Sequence, residues 1–348
     1  MKLVMTLLAR DEADVIDAQV AFHLHAGVDF VLATLNRSQD GTAEILERYE
    51  RAGVLRLLRE DGDDMRQDEW VTRMARLAAT EHGADWVINS DADEFWWPRA
   101  GSLKHVLATV PERFGALRGC WRHFLPRPDD GAFFAERMTV RLGRPAFPGD
   151  KRTIFHAHQK VAHRADPEVV VEPGNHNALG AGLEPIRAWH PLEVLHFSFR
   201  SPAQLALKAR GGWTRHPRGD ATVHQLLLQE ALESGRIEEF YDSFAVDDDA
   251  LERGLADGSL ARDTRLRDAL RAIGDGDGGF RLPRAGEDPA LSFPRLDVRE
   301  DALYAGEASV LVEIDGIVRA EKRVDAFEER LAALEGRPFA RLIDWRRS

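Results

Sequence analysis

Over the first hundred residues, short apolar runs of strand length alternate with stretches whose apolar positions recur at helical spacing. Residues 2–9 are almost continuously apolar, the pattern of a strand buried on both faces. A helix is predicted over 14–26, with Asp14 as its cap, Ile16, Val20 and Leu24 on one stripe, and Gly27 as its stop. Residues 30–35 read as a second strand. The polar loop from Asn36 to Thr42 then leads into a helix capped by Thr42, running through Ala52 and ended by Gly53. A third strand is predicted over 54–58. After it, Trp70, Met74, Leu77 and Ala78 mark a helix that Gly83 stops, and 86–88 form a fourth strand. Strand and helix in this alternation predict a parallel sheet with right-handed crossovers.

Past residue 100 the alternation ends. A helix capped by Ser102 and closed by Pro111 precedes strand-like runs at 116–124, 138–142, 153–155, 159–162, 169–171 and 194–199, separated by loops rich in Pro, Gly and Asp. This half is predicted to be mixed or antiparallel and to build the far wall of a cleft. Ser201 and Pro202 open a further helix as cap and first residue. The last third reads as helices over 220–234, 247–256 and 264–273, then a Gly/Asp/Pro-rich linker over 274–294, a strand over 309–314 and a charged helix over 324–334. Phe327, Leu331 and Leu334 lie along one face of that last helix, which suits covering the first domain, homodimerisation or docking on a partner.

The chain has 348 residues, 44% of them hydrophobic and 30% charged, which fits a globular protein and leaves room for one large domain with an extension. Its net charge of -12, with acidic residues spread along the chain, argues against a nucleic-acid binder, which would normally show a basic face. A single cysteine, Cys120, excludes an internal disulfide and fits a reducing compartment. The N-terminal apolar run is cut short by Arg10, Asp11 and Glu12, unlike a signal peptide, and no run approaches the length of a membrane span. A cytoplasmic protein is expected.

The candidate chemistry lies after the fourth strand, where Asp91, Asp93 and Glu94 fall within four residues and Phe95, Trp96, Trp97 and Pro98 follow. Ligands of open α/β sheets bind outside the carboxyl ends of the strands, and two carboxylates one residue apart can share a hard divalent cation. Neither a G-x-G-x-x-G turn nor a P-loop is present, so a nucleotide would need another anchor for its phosphates, and a metal on Asp91 and Asp93 is the obvious one. His23 and His25, two positions apart on a helix, point in different directions and cannot share a metal.

The segment Ala9-Arg10-Asp11-Glu12-Ala13, the loop Asn36-Arg37-Ser38-Gln39-Asp40-Gly41-Thr42 and the triplet Asp91-Ala92-Asp93 resemble the family 2 type glycosyltransferases of the GT-A fold and their family 92 relatives. The resemblance covers roughly residues 1–245. It implies a GT-A-like α/β domain there, with a Rossmann-like nucleotide-binding half over 1–100, an acceptor half with mixed sheet over 101–245, and a mainly helical extension over 246–348. It further implies Mn2+ or Mg2+ on Asp93 with Asp91 as ribose or metal contact, and Arg10 and Glu12 flanking the nucleotide. Asn36 stands after a position, Leu35, where the family commonly has a base-contacting acid, and is the candidate to replace it.

The middle of the chain supplies the remaining candidates. His196, a polar residue inside the apolar run 194–199, needs a partner if buried and resembles a late histidine that completes the metal site in GT-A enzymes. His176 follows Gly174 and Asn175 and resembles a histidine of the family 92 pattern on the acceptor or donor side. Lys160 and Arg200 are candidates to neutralise a diphosphate leaving group. A transferase that inverts configuration needs a carboxylate base; Glu94, Asp166, Glu172 and Glu193 are possible, with Glu172 the first choice. The expected function is a metal-dependent, inverting glycosyltransferase moving sugar from a nucleotide-diphosphate sugar to a hydroxyl of a glycan or glycolipid. The resemblance implies cell-surface polysaccharide or glycoconjugate synthesis at the inner membrane face, as a peripheral protein. A nucleotidyltransferase and a non-catalytic glycosyltransferase-like binding protein are the competing expectations.

Overall fold

The computed structural model describes residues 1–62, 66–147, 154–187, 189–211, 223–283, 287–294 and 298–335. The predicted β/α alternation is present. Strand β1 (Leu3–Ala9), helix α1 (Ile16–His25), β2 (Phe30–Asn36), α2 (Thr42–Arg51), β3 (Leu55–Glu60), α3 (Gln67–Thr80) and β4 (Trp86–Asp91) follow in order. β1 lies between β2 and β4, β3 lies outside β2, and all four are parallel. Their side chains explain the arrangement: β1 is buried on both faces, as a central parallel strand covered by helices must be.

The second half runs through β5 (Glu94–Pro98), α4 (Leu103–Ala108), β6 (Ala116–His123), α5 (Phe134–Arg137), β7 (Val140–Leu142), β8 (Gln159–Arg164), β9 (Val170–Val171), β10 (Ala178–Leu179), β11 (Leu192–His196) and α6 (Pro202–Arg210). It extends the same sheet, in the order β3-β2-β1-β4-β8-β6-β11-β5, and makes it mixed. β8 is antiparallel to both β4 and β6, and β5 is antiparallel to β11. Residues 154 and 155, expected in a strand, lie outside one, and 153 falls outside the described residues.

The connection between β4 and β5 shapes the molecule. Only Ala92 and Asp93 separate the two strands, so their facing ends lie at most about 11 Å apart. Four spacings of a flat sheet would hold them about 19 Å apart. The sheet must therefore curl until its halves meet at the acidic turn. Phe95, Trp96 and Trp97 after the turn lie in β5 and are buried in the main core with Phe22, Phe124, Phe134 and Phe197. A Cβ on Gly119 would come within 2.9 Å of Val194 and 3.0 Å of Trp96, so the neighbouring strand leaves no side chain there.

The C-terminal third comprises α7 (Val223–Glu233), α8 (Ile237–Asp242), α9 (Asp248–Asp257), β12 (Leu260–Arg262), α10 (Arg265–Ile273) and α11 (Val298–Glu335). α10 buries Leu266, Leu270 and Ile273 in the main core. The end of the linker stretch, residues 287–294, meets α1: the Leu291 amide donates to the His25 carbonyl, and Leu291 and Phe293 are buried. The strand expected over 309–314 is instead helical, and the helix expected from 324 begins at Val298. Both belong to one helix, because Leu303, Val310, Ile314 and Ile317 continue a helical spacing that the aliphatic run Val310-Leu311-Val312 masks locally. Among the described residues no helix is long and apolar enough to cross a membrane.

Candidate functional site

The loops after β1 and β2 are laced together beneath the carboxyl ends of the parallel strands. The Glu12 amide donates to Thr42 Oγ1 at 2.9 Å, the Ala13 amide to Asp40 Oδ2 at 2.9 Å, and the Asp11 amide to Ser38 Oγ at 3.0 Å. Asp11 and Arg37 both take left-handed conformations, with φ of 54° and 50°. This lacing accounts for two corrected caps. Thr42 is the first residue of α2 and holds Glu12 rather than capping, and Asp14 does not cap α1 but accepts from Arg200. The Ser102 and Ser201 caps are present as expected.

Asp91 and Asp93 sit in different surroundings. Asp91 Oδ1 accepts from Gln67 Nε2 at 3.2 Å and Asn175 Nδ2 at 3.1 Å, while Oδ2 accepts from Lys160. Asn175 is buried with a φ of 60°, and its Oδ1 has no hydrogen-bond partner. Lys160, also buried, lies 2.9 Å from Glu94 as well, and the two carboxylates keep it protonated despite its burial. Glu94 further accepts from Trp121 Nε1 at 2.9 Å and from the Asp91 amide at 3.1 Å. Burial pushes the Glu94 carboxyl up, to about 8, against the pull of Lys160.

Asp93 faces the other way. Its Oδ2 accepts from Lys208 Nζ at 2.8 Å and lies 3.8 Å from Arg200; its Oδ1 lies 3.6 Å from His196 Nε2. Burial opposes its ionisation, but Lys208 and Arg200 hold its carboxyl below the usual range. Arg200 is 1% exposed and is held by Glu12, Asp14 and the Phe197 carbonyl, tying the loop after β1 to α6. Glu12 is pushed up to about 7 by burial, against the pull of Arg200.

The hydrogen bonds assign the tautomers of the two central histidines. His123 Nε2 lies 2.7 Å from the His156 carbonyl, which only accepts, so this nitrogen carries the proton. Burial lowers the His123 pKa to about 4, so Nδ1 is bare. His196 Nδ1 lies 3.3 Å from that bare nitrogen and must donate to it. Burial keeps His196 neutral as well, so its Nε2 is a lone pair aimed at the ionised oxygen of Asp93. Two acceptors face each other with no proton between them.

The donor chemistry here fits a divalent cation. A carboxylate and a neutral imidazole are adjacent, and Asp93, Glu94 and His196 each offer an atom within 4.8 Å of the others. Glu94 is the least free of the three ligand candidates, because both its oxygens already accept hydrogen bonds.

Other expected residues lie around this centre. Arg10 donates to Asn36 Oδ1 at 3.0 Å, and the Asn36 amide donates to the Glu60 and Gly62 carbonyls, so Asn36 braces the end of β3. Beside it a cleft of about 460 Å3 is lined by Glu60, Gly62, Arg66, Glu69, Trp70 and Arg73. His176 donates from Nδ1 to the Gln159 carbonyl at 2.7 Å and stacks on His158 at 3.6 Å. Glu172 precedes the turn at Gly174 and is exposed. His23, set aside as a ligand, is buried and shared between the Gln19 carbonyl and the Trp96 amide.

Sequence reasoning missed Lys208, His123 and Trp121. Lys208 follows Gln204 by four positions on the helix that Ser201 starts, and its face was readable from that cap. Trp121, stacked on His196 at 4.3 Å, and His123 lie two positions apart on one face of β6, but nothing in their run marks that face as the site.

No family model matches the chain, and no curated protein matches it. Among solved structures, Staphylococcus aureus TarS 1–349 is 13% identical, with 70% of this chain and 72% of that chain covered and a TM-score of 0.34. Its complex with UDP-GlcNAc is 12% identical, with 70% and 74% covered and a TM-score of 0.34. Glucosyl-3-phosphoglycerate synthase from Mycobacterium tuberculosis, in complex with Mn2+, UDP and glucosyl-3-phosphoglycerate, is 20% identical over 35% of this chain and 44% of that chain, at a TM-score of 0.26. These are distant likenesses to enzymes that handle nucleotide sugars, at a level that carries no argument about the chemistry of this chain.

Proposed function

We propose that the protein is a metal-dependent glycosyltransferase that moves a sugar from a nucleotide-diphosphate donor to a hydroxyl acceptor. The observation that carries this reading is the convergence of Asp93, Glu94 and His196, each offering a ligand atom within 4.8 Å of the others, at the carboxyl end of a parallel sheet. Asp93 and His196 would hold Mn2+ or Mg2+, with Glu94 as the third candidate ligand. When bound, the cation would neutralise the diphosphate and stabilise it as a leaving group.

The chain's own residues divide the remaining work. Lys208, on Asp93, is a second cation beside the expected diphosphate and supports the same leaving group. Asp91, braced by Gln67, Asn175 and Lys160, is oriented to accept from a ribose hydroxyl. The cleft by Trp70 suits the nucleobase, with Asn36, itself held by Arg10, bracing the Glu60 and Gly62 carbonyls at its edge. Arg200 acts by holding Glu12 and Asp14 in place. Glu172 is our choice of base, because its carboxylate is exposed while Glu94 is committed to Trp121 and Lys160. His176 lies on the Trp121 side, where the sugar or acceptor would stand. Residues 1–245 would form the transferase domain and 246–348 its extension, with a glycan or glycolipid as acceptor.

Titrating UDP-, GDP- and dTDP-sugars calorimetrically, with Mn2+ and with chelator, tests this reading. One donor is expected to bind only with metal and to be hydrolysed slowly without acceptor. Failure of all to bind would overturn it. Metal-dependent exchange of a nucleoside triphosphate with a sugar phosphate would favour a nucleotidyltransferase, and donor binding without any turnover a binding protein.

A further inference from the structure

The pairing of β4 with β8 ends at Ile88 and Ala162, and Gln159 lies beyond that end. In a strand the amide and the carbonyl of one residue point to the same edge, and neither can be left bare when buried. At Gln159 both go to imidazoles rather than to a strand. The Gln159 amide donates to His158 Nδ1 at 3.0 Å, and His176 Nδ1 donates to the Gln159 carbonyl at 2.7 Å. The two rings stack, with centroids 3.6 Å apart and planes 19° from parallel. Burial keeps both neutral, helped by the charges of Lys160 and Arg319, and lowers the His176 pKa to about 3. The pair therefore consists of opposite tautomers: His158 is bare at Nδ1 and protonated at Nε2, and His176 is the reverse.

His176 closes a tight turn. Val171 of β9 pairs with Ala178 of β10, and between them the Glu172 amide donates to the Asn177 carbonyl and the Asn175 amide to the Glu172 carbonyl, each at 3.0 Å. Gly174 and Asn175 both take left-handed conformations, with φ of 76° and 60°. A Cβ on Gly174 would come within 2.4 Å of His176 Nε2, so the ring folds back over the turn and only glycine leaves it room. The same turn delivers Asn175, 1% exposed, whose Nδ2 donates to Asp91 Oδ1 at 3.1 Å.

We propose that His158 and His176 form a latch: by gripping both backbone groups of Gln159 they fix the 172–177 turn to the edge of β8, and so hold Asn175 against Asp91. His176 is a positioning residue that acts through Asn175. Its effect on donor binding rests on the reading of Asp91 as the ribose contact, whereas the latch itself does not. Without the bond to Gln159, the left-handed Asn175 loses the neighbour that fixes its turn, and Asp91 keeps only Gln67 and Lys160.

Calorimetric titration of UDP-, GDP- and dTDP-sugars with Mn2+ into the full chain, in variants confirmed to be folded by their melting transitions, tests this. His176→Ala and Asn175→Ala should each raise the donor dissociation constant about 10-fold, the usual worth of a hydrogen bond to a charged group. The double variant should be no worse than Asn175→Ala alone, because both changes remove one interaction. His176→Asn, whose amide nitrogen can stand where Nδ1 stands, should recover most of the affinity. Losses that multiply in the double variant, or a loss seen only in the KM for acceptor, would make His176 an independent contact and overturn the proposal. The latch is also read without donor. Heteronuclear NMR of the wild-type imidazoles at neutral pH should find the proton of His176 on Nδ1 and that of His158 on Nε2. Amide exchange across 172–177 should speed up about 10-fold in His176→Ala. If no donor binds the wild type, the function proposed above fails by itself and these two readouts decide the latch. The other tautomer at either ring, or unchanged exchange, would overturn it.

Discussion

His196 Nε2 stands 3.6 Å from Asp93 Oδ1, and the bond from His196 Nδ1 to His123 leaves the facing nitrogen without a proton. A cation between the two would relieve the opposition of two acceptors. His123 is thus a positioning residue that acts through His196. Replacing it with Phe frees the imidazole to flip or change tautomer, and Mn2+ affinity should fall about 10- to 100-fold, the usual effect of losing a ligand's supporting partner. Gln, whose carbonyl can accept the same proton, should restore most of it. Calorimetric titration of Mn2+ into both variants checks this, since a purely structural role for His123 would not distinguish them.

Lys208 occupies Asp93 Oδ2 at 2.8 Å and competes with any metal for that carboxylate. Lys208→Met should therefore have effects of opposite sign. Metal should bind more tightly to the more negative site, while metal-dependent donor affinity should fall because the diphosphate loses a cation. Leaving buried Asp93 without this partner should also lower the stability of the metal-free protein by up to about 3 kcal/mol. Titrations of metal and donor, with urea unfolding alongside, measure all three. A fall in metal affinity would mean that Lys208 shapes the site rather than competing in it.

Much of this was legible in the chain, and the exceptions share a cause. Strand and helix alternation over the first hundred residues was readable because each element's apolar period is set by local backbone geometry. The acidic turn after β4 was readable because carboxylates at a strand end are a local signal. Which carboxylate does what was not, since Asp91 and Asp93 are told apart by Lys160, Asn175, Lys208 and His196, all distant in sequence. The strand placed at 309–314 failed because three β-branched or aliphatic residues in a row look like a strand, and the docking of Tyr304, Ala305 and Ala308 decides the segment as helix. Asp14 and Thr42 looked like caps and are instead used across the loops, where Arg200 and Glu12 engage them.

His23 gives a pH dependence whose sign is fixed. Burial lowers its pKa to about 4, and it is neutral in the fold, donating to the Gln19 carbonyl and accepting from the Trp96 amide. In the unfolded chain it takes up a proton near pH 6.5. Between pH 6.5 and 4 the unfolded state therefore binds more protons, and the stabilisation from this residue is lost as pH falls, by up to about 1.4 kcal/mol per pH unit. The stability difference between wild type and His23→Leu, measured by urea unfolding, should shrink across that window and hold steady above pH 7. A difference that is constant from pH 7.5 to 4.5 would contradict the buried neutral assignment.

The central claim is that Asp93, and not Asp91, anchors the metal that holds the donor. Titrating Mn2+ into Asp93→Asn and Asp91→Asn side by side, each confirmed to be folded by its melting transition, tests it most directly. Saturable Mn2+ binding should be lost in Asp93→Asn and retained in Asp91→Asn. Equal binding in wild type and Asp93→Asn would contradict the account.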